Sequence, residues 1–135
     1  MFAKKLIEME QQLNHEEWFF QSDYDLETAN HMLHSGRNVY CIFMCHLSLE
    51  KALKGLFIRQ LNQFPPKIHN LMYFVEQLEL EPEEEHLDFL KWLNRMSVAT
   101  RYVEDLKNMI KIFPNERTES IYRQTKNIQQ WIKSL

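Results

Sequence analysis

Two glycines and four prolines are the only residues of their kind in 135 positions, and this scarcity limits the fold more than any other feature. Sandwiches and barrels reverse direction often and draw on turn-forming residues at each reversal. A chain with so few of them makes a few long helices joined by short connections. The length suits one domain with a single core. Hydrophobic residues at 44% and charged residues at 26% are ordinary globular values, which sets aside disordered and fibrous classes. The reading is one all-α domain over residues 1–135, an up-and-down bundle of four or five helices.

Periodicity places the helices. Residues 1–13 form a short amphipathic lead-in, a helical extension reaching about residue 14, with Phe2, Leu6, Met9 and Leu13 at spacings of three and four. It is expected to lie across the bundle or a partner subunit. Residues 16–35 read as the first long helix, with Trp18, Ser22, Leu26, Ala29 and Leu33 on one stripe and Gly36 as its stop. Residues 38–60 read as the second, and the most apolar. Val39, Ile42, Phe43, Leu47, Leu49, Ala52, Leu53, Leu56 and Phe57 exceed one narrow stripe, so this helix belongs at the centre. Pro65-Pro66 ends it. A short helix is expected over 69–78, a fourth over 83–96, and either a short helix or a continuation of the fourth over 103–113. A last helix runs from Pro114 to Ile132, carried by Ile121, Thr125, Ile128 and Trp131 or Ile132.

The net charge of −3 argues against a broad surface for long DNA, which is normally basic. No apolar run reaches the roughly 18–20 residues of a membrane span. Cys41 and Cys45, the only cysteines, share one helix face and lack the second pair of a zinc site, so they read as small core residues in a reducing, cytoplasmic compartment. His31 and His34 lack a carboxylate to complete a metal site and read as surface residues. The acid-rich stretch 81–85 reads as a solvated helix start. Phe19, Phe20 and Tyr24 are aromatic residues available to a partner. No cofactor is implied.

A set of short motifs falls in one order: Trp18, Asp25-Leu26, Ala29, Met32-Leu33, Gly36-Arg37, Tyr40, Phe43, the block His46-Leu47-Ser48-Leu49-Glu50-Lys51-Ala52-Leu53-Lys54, then His69-Asn70-Leu71 and Arg101-Tyr102. In that order and spacing the chain resembles the HEPN family of small nucleotide- and RNA-associated helical bundles. The resemblance implies a HEPN-like bundle, commonly a homodimer. Many minimal members pair with a small MNT-type nucleotidyltransferase, some as toxin–antitoxin modules, and other members are thought to bind nucleotides.

Ribonuclease members resemble one another in an Arg followed, after four to six residues, by a His. The His would serve as general acid or base at the ribose, and the Arg would stabilise phosphate charge. No arginine here has a His at that distance, and no His follows His86. The resemblance without this pair implies a non-catalytic nucleotide-binding or accessory protein serving a nucleotidyltransferase. Its candidate nucleotide-binding residues are His46, Glu50, Lys51, Lys54, His69, Arg101 and Tyr102.

Spacing alone puts His46 and Glu50 on one helix face and Lys51 and Lys54 on a neighbouring one. They form either a His–Glu seam with solvated lysines or a polar cleft for a phosphate. His69 either caps the third helix or reaches the same cleft. Arg101-Tyr102 offers a phosphate fork and a stacking ring, or an Arg paired with a nearby acid. Two further readings stand beside the binding module. One is a divergent metal-independent ribonuclease toxin, with Arg101 working with His46 or His69. The other is a ligand-free dimerisation scaffold.

Overall fold

A computed structural model describes residues 2–4 and 14–135. Residues 2–4 are helical and exposed; the rest of the amphipathic lead-in expected over 1–13 lies outside the described residues. Six helices follow: α1 (His15–His34), α2 (Asn38–Leu61), α3 (Leu71–Gln77), α4 (Glu84–Arg101), α5 (Leu106–Ile112) and α6 (Asn115–Ser134). The four long ones form the up-and-down bundle, and α3 and α5 are short connectors. α2 sits at the centre, packed against α1, α4 and α6.

Local chemistry sets the ends. The Asn14 side chain accepts a hydrogen bond from the Glu17 amide at 3.2 Å, capping α1. Gly36, at φ +76°, turns the chain while the Arg37 amide donates back to the Met32 carbonyl at 2.8 Å. Asn62 ends α2 in the left-handed region. Asn70, not His69, caps α3, accepting from the Met72 and Tyr73 amides at 3.0 and 3.3 Å. α4 runs on past Met96 to Arg101, and the hydroxyls in its last turns bond their own helix: Ser97 donates to the Asn94 carbonyl and Thr100 to the Met96 carbonyl, both at 2.8 Å. Residues 102–105 break the chain, so α5 is a separate helix, capped by Asp105.

The core collects Leu49, Leu53 and Leu56 of α2, Leu71 and Phe74 of α3, Leu90 and Leu93 of α4, and Ile128 and Ile132 of α6, all fully buried. On α6 it is thus Ile132 rather than Trp131 that faces fully inward. Cys41 and Cys45 are buried free thiols. α1 and α2 approach closely where Gly55 meets the Phe19 ring. Phe19 therefore packs within the chain instead of facing a partner, whereas Phe20 and Tyr24 are exposed.

A polar seam crosses this apolar interior. The buried Ser22 and Ser48 hydroxyls each donate to the other's backbone carbonyl, at 2.7 and 2.9 Å. The Gln129 amide of α6 donates to Ser22 Oγ at 3.1 Å and to Asp23 at 2.6 Å. The hydroxyls and the amide of this seam all find partners, as burial requires.

Candidate functional site

The His46-to-Lys54 block turns one charged face of α2 toward α3 and α4. Glu50 is 4% exposed and Lys54 5%, so neither is a solvated surface group. Lys54 Nζ stands 3.1 Å from Glu50 Oε2, with the Trp18 and Phe74 rings 5.7 and 6.0 Å away. The carboxylate and two aromatic faces replace the water that burial removes from the ammonium.

The other carboxylate oxygen faces two imidazoles. His69 Nδ1 lies 2.8 Å from Glu50 Oε1 as a hydrogen bond, and His46 Nδ1 lies 3.9 Å from the same oxygen. The His69 side chain is 54% exposed. Its backbone is fixed next door, where Asn94 of α4 accepts from the Leu71 amide and donates to the Asn70 side chain, at 2.8 and 3.1 Å. His69 thus reaches the α2 carboxylate and does not cap α3.

His46 is fully buried, and neither ring nitrogen has a hydrogen-bond partner among the described residues. Burial pulls its pKa down to about 4, against the pull of the Glu50 carboxylate; the Arg101 guanidinium disfavours the imidazolium further, while the His69 backbone, close by but outside hydrogen-bond geometry, favours it. His46 is therefore neutral at pH 7. Arg101, the last residue of α4, lies over the Phe43 ring of α2 at 5.3 Å. Tyr102 follows it, 72% exposed.

The predicted residues separate into two groups. His46, Glu50, Lys54, His69 and Arg101 converge, whereas Tyr102 is exposed and makes no hydrogen bond or ring contact with them among the described residues. Lys51 does not join them: it turns toward α1 and pairs with the buried Asp25 at 2.7 Å. The open polar cleft pictured from spacing is instead a filled knot, with its acid and lysine neutralising one another. Sequence reasoning missed Asn94, which holds the His69 loop, and Asp25, which claims Lys51; an acid within the apolar stripe of α1 was the available signal for the latter. His31 and His34 are exposed, His31 lying 3.7 Å from Glu27 and His34 bonding the Asn30 carbonyl.

Two clefts lie away from this cluster. One of about 350 Å³ runs between α1 and α6, past His34, Asn115, Tyr122 and Arg123. The other, of about 370 Å³, lies by Gln60, Leu80 and Trp131. Among the described residues, no helix is long and apolar enough to cross a membrane.

Residues 15–135 match the HEPN domain family, and the chain belongs to it. Two solved structures share the fold. TT1696 from Thermus thermophilus superposes with a TM-score of 0.76 at 18% identity, over 89% of this chain and 96% of that one. ST0689, an archaeal HEPN homologue, gives 0.70 at 20% identity, over 90% and 96%. No curated protein matches the chain in sequence.

Proposed function

We propose that this HEPN domain is a non-catalytic module that binds a mononucleotide and serves as partner to a small nucleotidyltransferase in a two-component, toxin–antitoxin-like system. The observation that carries the reading is the convergence of Arg101 and His69 on the buried His46, which has no hydrogen-bond partner among the described residues, with the exposed Tyr102 next to Arg101 in the chain. A guanidinium suits a phosphate and an exposed ring suits a base. Glu50 and Lys54 support the site from behind. Isothermal calorimetry with AMP, ADP and GMP tests it: micromolar binding is expected, weakened at least tenfold in Arg101→Ala. Absence of heat with every nucleotide, together with absence of a co-purifying nucleotidyltransferase, ends the proposal.

A homodimer is part of this reading. Tyr40, Val98, Tyr102, Ile110 and Ile112 are large apolar side chains left exposed, and exposed apolar groups of this size are what a partner surface covers. Light scattering on the purified protein reads the mass directly.

One observation favours a second reading, a divergent metal-independent ribonuclease. Folding brings Arg101, His46 and His69 together although no arginine precedes a histidine at the family spacing. Cleavage of RNA lost in His46→Ala and in His69→Ala supports it; RNA intact after long incubation disposes of it.

A further inference from the structure

Glu50 Oε1 stands between two imidazoles and bonds only the nearer one. His69 holds it at 2.8 Å, while His46 waits at 3.9 Å with neither nitrogen bonded among the described residues. Glu50 itself cannot wander, since Lys54 holds Oε2 at 3.1 Å. The His69 ring is free to turn: it is half exposed, and the loop behind it is secured through Asn70 and Asn94 rather than through the ring. A fully buried imidazole without a partner is uncommon, because the missing hydrogen bond costs stability. Here the acceptor it lacks is within reach and engaged elsewhere.

We infer that Glu50 is a two-position acceptor: a phosphate monoester arriving at Arg101 draws His69 off Oε1 and frees that oxygen for His46, so that the ligand binds together with a proton. This rests on the nucleotide-binding reading for its ligand. Among the described residues, the charged groups that bear on His46 are Glu50 from its own helix, His69 from the loop before α3 and Arg101 from α4, with Lys54 behind Glu50. At rest the cationic Arg101 opposes an imidazolium, and a bound phosphate cancels that opposition. Once protonated from solvent, His46 has two N–H donors. Nδ1–H goes to Glu50 and Nε2–H requires a second acceptor, which a phosphate oxygen supplies. No other covalent bond changes; one proton passes from water to the ring.

Two measurements on the whole protein test this. The first needs no ligand: NMR titration of the histidine rings. In the wild type, His46 is expected to titrate with a midpoint of about 4. In His69→Ala, Oε1 is free for His46, and its midpoint moves up toward the ordinary imidazole value of ~6.5. An unmoved midpoint overturns the two-position carboxylate whether or not nucleotides bind. The second is calorimetry with AMP at pH 7 in buffers of different ionisation enthalpy. Uptake approaching one proton per AMP is expected in the wild type, and a smaller uptake in His69→Ala, where His46 is already engaged. AMP binding without proton uptake overturns the linkage and leaves the nucleotide reading standing; no AMP binding removes both the ligand and the linkage.

Discussion

A Cβ placed on Gly55 would stand 2.7 Å from two carbons of the Phe19 ring and 3.2 Å from the His15 carbonyl oxygen. The glycine is thus a contact requirement between α1 and α2. Gly55→Val is expected to destabilise the fold by about 1–3 kcal/mol through overpacking. Gly55→Ala should cost less, because alanine's helix propensity returns up to about 1 kcal/mol. Urea unfolding of both variants checks the order.

The Glu50–Lys54 pair predicts a strong non-additivity. Lys54→Met strands a buried carboxylate, and breaking a buried pair in this way costs about 3–5 kcal/mol. Lys54→Met combined with Glu50→Gln removes both charges and should recover most of that loss. A double-mutant cycle read by denaturant unfolding gives the coupling; simple additivity would mean that the two charges are solvated rather than paired.

His46 predicts an acid-sensitive fold. Its pKa is about 4 in the folded chain and ~6.5 unfolded, so between these values the unfolded chain binds the extra proton. Stability is complete above about pH 6.5 and falls as pH drops toward 4, by about 3 kcal/mol in all. In His46→Gln that part of the slope should vanish. Chemical unfolding at a series of pH values measures it.

Lys51 and Arg101 separate structure from binding. Lys51→Ala leaves the buried Asp25 without its cation and should cost about 2 kcal/mol, yet leave AMP affinity unchanged. Arg101→Ala should do the reverse. Thermal melts and AMP calorimetry on both variants decide this; a loss of AMP affinity in Lys51→Ala would place the ligand on the α1 side of α2.

Cys41 and Cys45 should resist thiol reagents until the protein unfolds. Both are buried, and Cys45 is pushed well above the ordinary thiol range by its hydrogen bond with Cys41, aided by desolvation. Labelling with iodoacetamide across a urea gradient should follow the unfolding curve.

The long helices are legible where pattern and stop signal agree. Periodic runs locate α1 and α2 to within a residue because Gly36 and the Pro65-Pro66 loop bound them. The end of α4 is not legible, since Ser97, Thr100 and Arg101 carry no apolar signal and the two hydroxyls bond the helix itself. The start of α3 misleads because His69 looks like an opening residue, whereas Asn70 makes the cap. The site is partly legible. Helical spacing puts His46, Glu50 and Lys54 together, as the fold does. It also keeps Lys51 near Lys54, and only the position of Asp25 on another helix separates them. Long-range partners such as Asn94 leave no local trace in a sequence.

The reciprocal bonds between Ser22 and Ser48 carry a last consequence. An all-leucine seam would tolerate α1 sliding one turn along α2, since one methyl group replaces another at little loss. Two hydroxyls that each satisfy the opposite carbonyl, and a glutamine from α6 that closes on the first, admit a single alignment. Any shift would leave several polar atoms dry and unbonded at once. The central helix is thereby indexed against both neighbours, and the spatial offset between Trp18 and Lys54 follows from that indexing.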